Sequence, residues 1–188
     1  FTMIYQLPYF LSLALSFTTG TETLLDDFNY TTSSAARQAW TELKGTLPLA
    51  MQKSGSQNVL LLSAPFQSNR DIPRAGIDKQ LNQSLTAPGL FTIDVKPASP
   101  DSNHQVSIYF KSGPGWYSTS ARIKGADWQT LRFPKGDFRG EDKPRGWDKI
   151  ETVRLVVWRE SDSEPDTHFQ FRNLKAITGD VTIVVPDL

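Results

Sequence analysis

The sequence predicts an all-β protein, an antiparallel two-sheet β-sandwich occupying residues 22–178 as one domain. Two observations carry this. From Thr23 onward the hydrophobic residues recur with a period of two, while helical periodicity is weak everywhere. The alternating runs are also short, and clusters of Gly, Pro, Asn, Asp and Ser interrupt them as turn signals do. Connections this short favour antiparallel neighbours, and one apolar face per strand implies a second layer to cover it.

Taken in order, residues 1–21 differ in kind from the rest. Residues 3–19 carry no charge, and an apolar run extends from Leu7 to Phe17. Pro8 interrupts it and it is short for a transmembrane helix, so no membrane span is expected. It reads either as a signal-peptide-like leader starting at Met3 or as an extra strand. No Lys or Arg precedes the run and no clear cleavage site follows it.

Ser33–Leu43 is the best helical candidate, with Ser34 as its cap and a loop as the alternative. Thr46–Gln52 is expected to pair with the apolar run Val59–Ser63. Ser68–Gly76 reads as a loop whose Arg70, Asp71 and Arg74 are solvated charges, with bonding of an anionic or hydroxyl-rich ligand as the alternative. Leu90–Lys96 alternates with Phe91, Ile93 and Val95 on one face. His104–Lys111 does the same with Val106, Ile108 and Phe110, and Gly113-Pro114-Gly115 then turns the chain. Trp116–Ile123 and Trp128–Phe133 follow as strands.

Pro134–Asp148 is expected to be irregular. Ile150–Arg159 alternates Val153, Leu155 and Val157 against Arg154, Val156 and Trp158. Thr167–Ile177 sets Phe169 and Phe171 against His168, Gln170 and Arg172. Between these two strands, Glu160–Asp166 lacks the glycine and spacing of an EF-hand and reads as a solvated hairpin tip. Residues 179–188 form a tail or the start of a following domain.

Composition excludes several function classes. The 188 residues contain 20 Lys+Arg against 20 Asp+Glu and no basic run, which argues against nucleic-acid binding. No cysteine is present, so disulfides, thiolate metal sites and cysteine nucleophiles are ruled out. The two histidines, His104 and His168, are too few for a histidine-rich metal site. No nucleophile elbow, phosphate loop, zincin or dinucleotide motif occurs. What the chain has in supply is aromatics: five Trp, five Tyr and eleven Phe. Such rings favour strands and also stack on flat apolar faces such as those of sugars.

Four segments extend this reading. The opening Leu24-Leu25-Asp26-Asp27-Phe28, the Gly125-Ala126-Asp127-Trp128-Gln129-Thr130-Leu131-Arg132-Phe133-Pro134 stretch, the Trp147–Leu155 strand entry and the ending Phe169-Gln170-Phe171-Arg172-Asn173-Leu174 occur in an order similar to that of carbohydrate-binding jelly rolls. The chain resembles family 11 modules and the wider galactose-binding-like superfamily over most of residues 24–177. The resemblance implies a jelly roll that binds a polysaccharide or oligosaccharide and has no catalytic centre. It would belong to an extracellular or cell-envelope protein, beside an adjacent catalytic domain. A structural or interdomain sandwich without its own ligand is the alternative, and a glycan hydrolase or lyase is a third reading. The family often has Asp where this chain has Arg172, and an Arg cannot ligate calcium. Asp26 and Asp27 remain as candidate ligands for a structural calcium.

Sugar binding requires exposed rings with hydrogen-bonding side chains beside them. The polar face assembled from the alternation comprises Asp94, Tyr109, Lys111, Arg154, Trp158, Gln170 and Arg172, with Trp158 the most suggestive and packing of its ring under the Glu160–Asp166 loop as the alternative. Trp116 and Tyr117 follow the Gly-Pro-Gly turn, so one of them is expected near a loop rim, where ligand binding competes with ordinary strand-end packing. Trp128 and Trp147 are expected to be structural anchors.

Overall fold

The computed structural model describes residues 20–162 and 164–179. The strands are β1 (Thr21–Asp26), β2 (Thr41–Glu42), β3 (Ala50–Ser54), β4 (Gln57–Ala64), β5 (Arg74–Gln83), β6 (Leu90–Pro97), β7 (Gln105–Ser112), β8 (Gly115–Arg122), β9 (Gln129–Pro134), β10 (Arg139–Glu141), β11 (Ile150–Trp158) and β12 (Thr167–Thr178). One helix, α1 (Ser33–Ala39), joins β1 to β2. Sheet I has the order β3-β4-β12-β6-β9, with β1 also pairing β12; sheet II has the order β10-β8-β7-β11-β5-β2. Every pairing is antiparallel. The two-sheet sandwich expected from the alternation is the observed architecture.

The alternation also picks out the core. Phe91, Ile93 and Val95 of β6 and Phe169 and Phe171 of β12 face Val106, Ile108 and Phe110 of β7 and Val153, Leu155 and Val157 of β11, all fully buried. Each such side chain contributes about 1.5–3 kcal/mol by leaving water. Phe91 and Phe110 meet across the layers with ring centroids 4.6 Å apart.

Local details depart from the sequence reading in four places. The helix is capped by Thr32, whose Oγ1 accepts from Ala35 N at 3.1 Å, rather than by Ser34. It stops at Ala39 because Trp40 turns extended and stacks its buried ring on Phe28, 5.1 Å away. The supposed loop through Gly76 ends earlier, since Arg74 already opens β5. The segment expected to be irregular holds β10, which pairs Glu141 with Trp116 of β8.

The fourth departure is topological. Glu160–Asp166 is no hairpin tip, because β11 lies in sheet II and β12 in sheet I. The connection crosses between layers and is tied down accordingly. Glu164 is buried against His104 and accepts Glu160 N at 2.6 Å, and Asp166 Oδ1 accepts Gln67 N and Ser68 N, both at 2.8 Å. The leader and tail readings fall on residues 1–19 and 180–188, outside the described residues.

Candidate functional site on the outer face of sheet II

The outward residues of sheet II lie in register across its strands. Arg154 of β11 is flanked by Asp78 of β5 and Tyr109 of β7, and Tyr109 in turn by Ser118 of β8. One step along the strands, Lys111 sits opposite Trp116. One step the other way, Gly76, Val156, Ser107 and Ser120 form a row of small residues, and beyond them Trp158 pairs with Arg74. Cross-strand neighbours at these spacings are within side-chain reach.

The long side chains lie down over this row. Trp158 donates Nε1–H to Ser107 Oγ at 2.8 Å, which carries its ring from the end of β11 toward β7. Val156, although outward-facing, is 0% exposed beneath its neighbours. Arg154 makes a bidentate pair with Asp78, Nε to Oδ1 at 2.7 Å and Nη2 to Oδ2 at 2.8 Å. Its guanidinium also sits 4.4 Å from the centre of the Trp116 ring, and Tyr109 meets Trp116 edge-on at 6.3 Å. The Asp78 bonds raise the Arg154 pKa further, against the opposing effect of burial. Burial, then the Glu141 charge, pushes the Tyr109 hydroxyl up, so it remains a neutral donor and acceptor at ordinary pH.

The structure thus brings together Tyr109, Trp116, Arg154 and Trp158. It separates the other three candidates from them. Tyr117 follows Trp116 on a strand and so points to the opposite side, where it stacks on Trp147 with ring centroids 4.3 Å apart. Asp94 and Arg172 belong to sheet I. There Asp94 accepts from Thr130 Oγ1 at 2.7 Å, Asn173 Nδ2 at 2.9 Å and Arg172 Nε at 3.2 Å, while the Arg172 guanidinium covers Trp128 at 4.1 Å. The face assembled from alternation is therefore two faces on opposite sides of the sandwich. Asp78, partner to Arg154, was not among the sequence candidates; its place is set by the register of β5 on β11. Trp147 stacks between Tyr117 and Phe91 and anchors the core, as expected.

The calcium reading does not fit the residues present. Asp26 is buried and its carboxylate is already committed: Oδ1 accepts Phe28 N at 2.6 Å, and Oδ2 accepts Tyr30 OH at 2.5 Å and Trp40 Nε1 at 3.0 Å. Its counter-charge is the Lys79 ammonium, 2.8 Å away, which makes the neutralising cation a side chain. Burial, then the Asp26 bond, raises Tyr30 well above its ordinary range. Asp27 faces solvent and accepts Asn29 N at 2.9 Å. Among the described residues no three His, Cys, Asp or Glu converge on a point where a metal ion could sit.

The fold recurs in proteins of known structure. A family 11 carbohydrate-binding module from Clostridium thermocellum, solved in complex with a β-1,3-1,4-mixed-linked tetrasaccharide, aligns with a TM-score of 0.61 at 17% identity, covering 86% of this chain and 97% of that one. The chain shares the jelly-roll fold of that module. A family 30 carbohydrate-binding module of a cellulosomal cellulase from the same organism aligns at 0.53 and 12% identity, covering 85% and 99%. An exo-β-agarase aligns at 0.63 and 10% identity over 84% of this chain, which corresponds to 25% of the agarase. No protein-family model and no curated protein matches the sequence. No helix among the described residues is long and apolar enough to cross a membrane.

Proposed function

We propose that the chain is a non-catalytic module that binds a polysaccharide or oligosaccharide on the outer face of sheet II. The observation that carries this reading is the set of half-buried aromatics, Tyr109, Trp116 and Trp158, held on one sheet face around the Arg154–Asp78 pair. Rings in such a position offer apolar surface to the C–H face of a sugar, and the flanking Arg, Asp, Tyr and Glu141 groups offer bonds to its hydroxyls. Rigid strands hold them in place, so little side-chain entropy is lost on binding.

The jelly-roll neighbours support the same class of ligand, one of them having been solved with a β-1,3-1,4-mixed-linked tetrasaccharide. The agarase, of which this fold is a quarter, supports a place beside a catalytic domain in an extracellular or cell-envelope glycan-processing protein. The non-catalytic part of the reading draws on the commitment of Asp78, the carboxylate central to this face, to Arg154 rather than to a second acid.

Affinity electrophoresis in gels containing mixed-linkage β-glucan, agarose or xylan tests the proposal. Retention in at least one gel is expected, reduced by Trp116→Ala and by Trp158→Ala, with no reducing sugar released. Absence of retention on every polymer, or retention indifferent to both substitutions, would overturn it.

A further inference from the structure

Beyond Trp158 the outer face of sheet II runs into a cavity of about 660 Å³, a size suited to a ring-sized ligand. Trp158, Ile72 and Pro73 supply its apolar surface; Lys44, Asn69, Asp71 and Arg74 supply its polar groups. The walls are held from several directions. Gly45, at φ +90°, packs so closely on Ile72 that a Cβ would come within 2.2 Å of Ile72 Cγ2, so the turn carrying Lys44 sits tight against the floor. The opposite wall, residues 67–73, is fastened by Asp166 at Gln67 and Ser68, by Arg159 Nη1 to Arg70 O at 2.6 Å, and by Arg159 N to Pro73 O at 2.9 Å. Trp158 is fastened by Ser107.

The charges inside this frame do not balance. Arg154, Arg122 and Lys111 on the same face each have a carboxylate partner. Lys44 and Arg74 have none among the described residues, and Asp71 makes no ion pair there either. Arg74 stacks at 5.4 Å over the Trp158 ring, which orients a weakly hydrated guanidinium and leaves its edge donors free. Two uncommitted cations against one carboxylate leave a net positive pocket beside an aromatic ring.

We infer that the Trp158 pocket is a subsite for an acidic sugar unit, one bearing a carboxylate or a sulfate ester, at one end of the proposed glycan-binding face. Arg74 and Lys44 bond the anionic group, Asp71 and Asn69 take hydroxyls, and Trp158 takes the ring face. The inference rests on the glycan-binding reading above and adds a charge preference that the Trp116–Tyr109 end of the face does not carry.

The test compares retention on neutral polymers (agarose, mixed-linkage β-glucan) with retention on polygalacturonate and on a sulfated galactan, for the native chain and the double variant Lys44→Gln/Arg74→Gln. The native chain is expected to bind one of the acidic polymers about tenfold more tightly than the neutral ones, with an advantage that added sodium chloride removes. The double variant is expected to lose that advantage, holding acidic and neutral polymers alike with no salt dependence, while its melting temperature stays unchanged. The carboxylate and sulfate arms show which group is read. Equal binding of the native chain to neutral and acidic polymers, or a variant that weakens both by the same factor, overturns the subsite and leaves the glycan reading standing. No retention on any polymer overturns both.

Discussion

The Arg154 guanidinium lies 4.4 Å over the Trp116 ring while one of its edges, Nε and Nη2, is bonded to Asp78. One side chain thus couples an aromatic surface on β8 to a carboxylate on β5, across the two strands between them. Arg can do this because its planar fork offers bidentate bonds at the edge and a stacking face at the same time. Arg154→Lys retains the charge but not the geometry. It is expected to lower stability by about 1–2 kcal/mol in chemical unfolding, through loss of one charge-assisted bond. Glycan retention should fall with it, because Trp116 loses the partner that orients it. Unchanged retention would mean that Trp116 is positioned by Tyr109 alone.

Trp158 reaches Ser107 through a single hydrogen bond from its indole nitrogen. Trp158→Phe keeps an aromatic ring and removes the donor, leaving Ser107 with Ser120 as its remaining side-chain partner. The expected cost is about 1 kcal/mol, read as a shift in the urea midpoint with an unchanged slope.

Lys79 pairs with the buried Asp26 carboxylate at 2.8 Å. Lys79→Met leaves a buried carboxylate bonded to neutral donors only. The expected destabilisation is about 3 kcal/mol, as for other buried pairs broken on one side. In the native chain, adding EDTA or calcium should leave the melting temperature where it is. A calcium-dependent rise would show that a cation binds elsewhere, beyond Asp26.

Asp166 is exposed, yet its pKa is held below the ordinary 3.8, first by the Ser68 hydroxyl and then by backbone N–H groups of Ser68 and Gln67. A carboxylate depressed on folding stabilises the native state fully above its unfolded pKa. That contribution fades as pH falls from about 3.8 through the lower folded value. Asp166→Asn should therefore narrow the gap between neutral and acid stability, measured as melting temperature against pH. Because the same bonds hold the wall of the Trp158 pocket, the substitution should also weaken any binding there at neutral pH.

The in/out order of the main strands was legible in the sequence. Alternation alone places Phe91, Ile93, Val95, Val106, Ile108, Phe110, Val153, Leu155 and Val157 inward, and all are buried. The reason is local: successive side chains on a strand point to opposite sides, so one apolar parity determines the rest. The same parity put Tyr109, Arg154, Trp158, Asp94 and Arg172 outward. It carries no information about which sheet a strand joins. That depended on the crossing of residues 159–166 from β11 in sheet II to β12 in sheet I, a connection whose length resembles a hairpin's. Pairing partners come from long-range packing, so only the tertiary structure could bring Asp78 to Arg154, choose Trp116 over Tyr117, and send Asp94 and Arg172 to the far side of the molecule.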